Sequence, residues 1–152
     1  MITHLNNKNK PRMVDVNNKK NTMRTATAQG EVIFNKITFE KIEKMQTKKG
    51  EITNIAILAG VMASKKTSDL IPLCHNIGIE KIDIDIKTNL KNRSLIVTAN
   101  VKTFGKTGVE MEALTAVSIA CLTIYDMCKS LDKKILIENI RLLSKTGGKT
   151  KF

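Results

Sequence analysis

Hydrophobic residues recur every second position between residues 82 and 87, where Ile82, Ile84 and Ile86 alternate with Asp83, Asp85 and Lys87. That period puts the isoleucines on one side of a strand and the charges on the other. A polar stretch at 89–92 then marks a turn, and 95–104 reads as a second long strand, so an antiparallel hairpin is expected. Upstream, a short β-like stretch at 31–35 precedes Phe39, Ile42 and Met45 at helical spacing. Lys48, Lys49 and Gly50 interrupt. After them Thr53 or Asn54 offers a cap, and Ile55, Leu58, Ala59 and Met62 place one apolar stripe on a second helix that ends before Pro72. Downstream, Thr107 stands three residues before Glu110, the spacing of a capping box. Leu114, Val117, Cys121, Ile124, Tyr125 and Cys128 then share the inner side of a long helix. Residues 135–143 are rich in β-branched and aliphatic side chains, a last strand, and Thr146, Gly147, Gly148 and Lys149 read as a terminal loop.

The order β-α-α-β-β-α-β, with its hairpin in the middle, predicts an α+β fold of the ferredoxin-like kind, an antiparallel sheet with helices packed on one face. A chain of 152 residues suits one domain. Residues 1–24 carry six basic side chains against the single acid Asp15 and little apolar periodicity. They are expected to form a mobile arm before a domain at 25–152.

Charge changes the picture more than composition does. Lys and Arg number 26 against 14 Asp and Glu, a net +12, which predicts a polyanionic partner. One Tyr, four Phe and no Trp leave few platforms for stacking bases, which disfavours a single-strand nucleic-acid binder. No apolar run approaches the roughly 20 residues of a membrane span, and the N-terminus lacks a signal-peptide core, so a cytoplasmic protein without membrane contact is expected. Cys74, Cys121 and Cys128 form no C-x-x-C pair and read as reduced, buried thiols. With His4 and His75 as the only histidines, no zinc site is expected.

Polar clusters interrupt the regular elements at Lys48-Lys49-Gly50, Lys65-Lys66-Thr67, Cys74-His75, and 105–112. The segment Gly105-Lys106-Thr107-Gly108 lacks the first glycine and the spacing of a phosphate-binding P-loop and is rejected as one. Asp126 and Lys129 lie three apart on one helix face, where the carboxylate can orient the ammonium; the plainer reading is an exposed surface pair. Lys129 would serve as an acid or base if desolvation and neighbouring cations lowered its pKa. His75, after an apolar run, suits a packed core as well as a site. Glu110 is explained by capping, whereas Glu112 is free to accept from the donor edge of a guanine. Charge alone also permits a non-catalytic binder of nucleic-acid phosphates, with steeply salt-dependent affinity.

Five blocks carry a resemblance: Met13-Val14-Asp15-Val16; Lys49-Gly50; Ser68-Asp69-Leu70-Ile71-Pro72-Leu73-Cys74-His75; Gly105-Lys106-Thr107-Gly108-Val109-Glu110-Met111-Glu112-Ala113-Leu114-Thr115-Ala116; and Ile124-Tyr125-Asp126-Met127-Cys128-Lys129. Together they resemble the family of cyclic pyranopterin monophosphate synthases, the C proteins of molybdenum-cofactor biosynthesis. The resemblance implies a ferredoxin-like catalytic domain assembled as a homohexamer, a trimer of dimers with sites at subunit interfaces. It implies a phosphorus-oxygen lyase acting on a cyclised, GTP-derived small molecule, with no nucleic acid as partner and no metal or organic cofactor. In that reaction the five-membered guanine ring opens and is rebuilt as a pyranopterin, and a cyclic phosphate closes as pyrophosphate leaves.

By the same resemblance Lys49 and Lys129 are the catalytic lysines and Asp126 orients Lys129. Leu73, Cys74 and His75 form one substrate-contact segment, and Met111 and Glu112, with Glu110 beside them, form another. Arg24 and Lys145 face the triphosphate. The chain departs from the family in Asn76, where proline is usual, and in the short tail after Lys149.

Overall fold

The hairpin expected from the alternating isoleucines forms the edge of a four-stranded sheet in a computed structural model that describes residues 3–44 and 46–148, the side chains of 46–50 excepted. The elements run β1 (Thr22–Ile33), α1 (Lys36–Lys44), α2 (Gln46–Ser64), α3 (Thr67–Leu70), β2 (Lys81–Asn89), β3 (Ser94–Gly105), α4 (Glu110–Cys128) and β4 (Leu136–Thr146). The strands lie in the order β2-β3-β1-β4, and every neighbouring pair is antiparallel. This is the ferredoxin-like α+β arrangement. Ile84, Ala99, Ala28 and Leu142 form one continuous row across the sheet. That face meets α4 beneath β1, β3 and β4, while α2 lies against α4 and β2.

The core follows from the two periods. Ala26, Ala28 and Val32 of β1 and Leu95, Val97, Ala99 and Val101 of β3 are buried against Ala113, Ala116, Val117, Ala120, Cys121 and Ile124 of α4. Each large aliphatic side chain so buried stabilises the fold by roughly 1.5–3 kcal/mol. Helix α4 has the length and mean hydropathy, 1.4, of a membrane span, yet half of that window is buried inside the fold. Its apolar character is that of a core helix.

Five local expectations are corrected. The first strand occupies Thr22–Ile33 rather than only 31–35. Its earlier part, Thr22 to Gln29, is mostly threonine, alanine and polar residues with Met23 as its one large apolar side chain, and strand state comes from pairing on both edges with β3 and β4. Helix α2 starts at Gln46, running through Gly50 instead of stopping there. Its stripe of Ile55, Leu58 and Met62 faces outward, while Ala56, Gly60 and Ser64 are buried. Gly60 explains the rotation: a Cβ there would lie 2.9 Å from the Ala116 carbonyl oxygen and 2.6 Å from Ile84 Cδ1. Small residues let α2 approach α4 closely, which turns the larger ones out.

The capping box does not form. The N-cap of α4 is Val109, without a side-chain hydrogen bond, and Glu110 is engaged elsewhere. The last strand continues through Thr146, which pairs with Thr25. The short helix α3 adds an element that carries no periodic signal in four residues.

Candidate active site

The end of α2 and the start of α4 are tied by Ser64, whose hydroxyl donates to the Glu112 carbonyl at 3.1 Å. Thr67 Oγ1 donates back to the Ser64 carbonyl at 2.9 Å, which turns the chain into α3. The segment after Pro72 is thereby led across the N-terminal end of α4. Here Leu73, Cys74 and His75 come together with Glu110, Met111 and Glu112 around a cavity of about 270 Å³, with His4 of the N-terminal arm at its edge. Two segments nearly forty residues apart thus form one wall each.

The electrostatics of this cavity follow from burial. Glu112 is 4% exposed. Burial pushes its carboxyl pKa up, Glu110 nearby adds to the rise, and its own backbone N–H offsets part of it. Burial, with the Glu112 charge second, also pushes the Cys74 thiol up, so Cys74 is a packing neighbour rather than a thiolate. His75 Nε2 lies 2.7 Å from the Val14 carbonyl oxygen. A carbonyl only accepts, so Nε2 carries a proton, and in the neutral ring Nδ1 keeps a free lone pair.

A second cavity, of about 230 Å³, adjoins the first and shares Thr107, Gly108 and Glu110 with it. Its cations are Lys19, Arg24 and Lys145. Arg24 comes from β1 and is held by two carbonyls, its Nε donating to Gly105 at 2.9 Å and its Nη2 to Lys106 at 3.0 Å. Lys145 comes from β4 and donates to Glu110 at 2.9 Å. A wider opening of about 510 Å³ continues past Lys19, Lys20 and Arg24. Lys19 and Lys20 were counted in the sequence only as charges of the arm. The signal that they belong here is their place just before β1, the strand that carries Arg24. The arm also meets the domain through backbone carbonyls, that of Val14 beside His75 Nε2 and that of Asn17, which accepts from Lys106 Nζ at 3.0 Å.

Asp126 and Lys129 stand elsewhere. Lys129 is the C-cap of α4, its Nζ 2.6 Å from Asp126 Oδ1, and both side chains are largely exposed. The hydrogen bond that Lys129 donates to Asp126 holds the ammonium pKa up rather than down, so Lys129 is a cation. Seventeen residue steps along the helix separate it from Glu112, about 25 Å along the axis. The contacts of Ser64 with Glu112 and of Gly60 with Ala116 show that α2 and α4 run antiparallel. The first turn of α2, with Lys49 in it, therefore lies towards the same end of the helix pair as Lys129. The Lys49 side chain is outside the described residues, as are Met45 and Lys149. Each chain thus carries two groups of candidate residues at opposite ends of one helix pair. Among the described residues no three of His, Cys, Asp and Glu are gathered as a metal ion would require.

The MoaC family model matches residues 13–148. The chain belongs to the MoaC family. The MoaC-matched span contains every candidate residue named above except His4. Among curated relatives, the cyclic pyranopterin monophosphate synthase of Heliobacterium modesticaldum is 49% identical over 149 residues, covering 98% of this chain and 94% of that one. The enzyme of the same name from Parvibaculum lavamentivorans is 51% identical, covering 98% and 93%. That from Helicobacter hepaticus is 51% identical, covering 98% and 94%.

Proposed function

We propose that this MoaC-family chain is a cyclic pyranopterin monophosphate synthase, a lyase of molybdenum-cofactor biosynthesis acting on (8S)-3',8-cyclo-7,8-dihydroguanosine 5'-triphosphate. The observation that carries the reading is the adjacency of two unlike cavities. One is lined by Leu73, Cys74, His75 and two carboxylates, suited to the donor-rich edge of a guanine-derived ring. The other is ringed by Lys19, Arg24 and Lys145, suited to a polyphosphate. A nucleoside triphosphate joins two such unlike ends in one molecule.

Forming a cyclic monophosphate from a triphosphate while pyrophosphate leaves requires attack by a sugar hydroxyl on the innermost phosphorus. One P–O bond forms as the bond to the departing pyrophosphate breaks. Cations facing that group offset the charge that accumulates on it. Rebuilding the ring needs proton donors and acceptors. Lys129, kept protonated by Asp126, is a donor, while Lys49 is assigned from the family pattern. These lysines reach the substrate from a second copy, because one chain keeps them a helix length from its own cavities. The separation supports sites at subunit boundaries, the family resemblance implies a homohexamer built as a trimer of dimers, and the exposed Ile55, Leu58 and Met62 of α2 offer apolar surface for such contacts. The reading assigns no metal or organic cofactor and a cytoplasmic location.

The test is pyrophosphate release from the cyclised nucleotide by purified protein. Lys129→Ala is expected to lower kcat by about 10²–10⁴-fold, the usual contribution of a positioned acid or base. Equal rates for the two proteins would remove Lys129 from the chemistry.

A further inference from the structure

Glu110, together with Thr107 and Gly108, lines both cavities. It reaches Lys145 by lying back over residue 108. A Cβ at Gly108 would stand 1.9 Å from Glu110 Oε2 and 2.6 Å from its Cδ. Only a bare Cα leaves room for the carboxylate in this position. The resulting pair is only partly buried, with side-chain exposures of 31% for Lys145 and 28% for Glu110.

The cation cavity therefore holds an anion of its own, which is a poor arrangement for receiving a polyphosphate. A phosphate oxygen and the Glu110 carboxylate compete for one ammonium, and two anions crowded on that cation repel each other. Of the groups present, Arg24 is fixed by two backbone carbonyls, whereas Glu110 has a long flexible side chain and a second cavity to turn into. We infer that Glu110 is an exchangeable counter-ion, neutralising Lys145 in the free protein and yielding it to the substrate's polyphosphate as its own carboxylate turns into the ring-binding cavity. Filling of one cavity then prepares the other, and a ring without its phosphates meets a cavity whose second carboxylate is turned away. Gly108 acts as a positioning residue, through the space it leaves. This inference rests on the polyphosphate reading of the cation cavity given above.

Inorganic tripolyphosphate isolates the exchange from catalysis. Calorimetric titration of the full chain should show binding, and Glu110→Gln should bind the probe roughly five-fold more tightly, because its competitor for Lys145 has lost its charge. Gly108→Ala keeps both charges but displaces the carboxylate, and it should tighten binding in the same direction. Both variants should lower kcat for the cyclised nucleotide more than they change KM, which loss of a merely structural ion pair would not do. Tripolyphosphate binding that Glu110→Gln weakens or leaves unchanged overturns the exchange and leaves the synthase reading intact. No binding to the parent chain removes the phosphate cavity itself, and the exchange with it.

Discussion

Glu112 shows how the burial of one carboxyl sets a pH dependence of stability. Burial raises its pKa above the ordinary value of 4.5, which means that the folded state holds the proton more tightly than the unfolded chain does. The ionisation of such a group costs the fold nothing at a pH below 4.5, destabilises it increasingly as pH rises from there towards the folded-state value, and leaves a constant penalty above it. Glu112→Gln is therefore expected to raise the melting temperature at a pH of about 8 while leaving it nearly unchanged near pH 4, in paired thermal scans. The same variant should lose turnover, since a neutral amide cannot accept from a donor edge with both oxygens. A melting temperature lowered equally at both pH values would mean that packing, not charge, governs this position. At this scale the sequence was partly legible. Residue type marked Glu112 as a carboxylate without a capping duty, but its burial depends on Ser64 and α3, which lie elsewhere in the chain.

At the scale of elements, the contact between α2 and α4 decides where everything else stands. Periodicity correctly located a helix around Ile55 and Met62 but assigned its inner face to the large apolar residues. The observed inner face is built on Ala56 and Gly60, because closeness of backbones is worth more here than the bulk of single side chains. Gly60→Ala should cost about 1–3 kcal/mol, since its Cβ meets the Ala116 carbonyl oxygen, a backbone atom that cannot swing aside. Chemical denaturation would read this as a lower midpoint. An unchanged midpoint would show that the helix pair tolerates a wider spacing. The missing capping box has a similar origin: Glu110 has the right spacing for a cap, but Lys145, 35 residues away, holds its carboxylate instead.

For the molecule as a whole, the separation of the two residue groups makes the assembly testable through activity. If one copy supplies Lys129 and another supplies Glu112, a mixed pair of Lys129→Ala and Glu112→Gln chains contains one fully native site and one doubly defective site. Co-expression of these two variants should then restore activity to about a quarter of the native level, by random pairing across a two-fold interface. Each variant expressed alone should remain inactive. Absence of restoration in verified mixed oligomers would place all the chemistry within one chain. The net charge of +12 also finds its meaning at this scale. Lys19, Lys20, Arg24 and Lys145 converge on connected cavities, the arrangement expected for a small polyanion rather than for the extended backbone of a nucleic acid.

By itself the sequence determined what neighbouring residues encode: the alternation of the β2 strand, the hairpin, the long inner side of α4, and the blocks that mark the family. These are local patterns, and local conformation follows them. Only the tertiary structure decided how far β1 extends, which face of α2 is inside, and which partner Glu110 takes. Each of those depends on groups brought together from distant parts of the chain, where close packing and charge pairing outweigh the preference of any short segment.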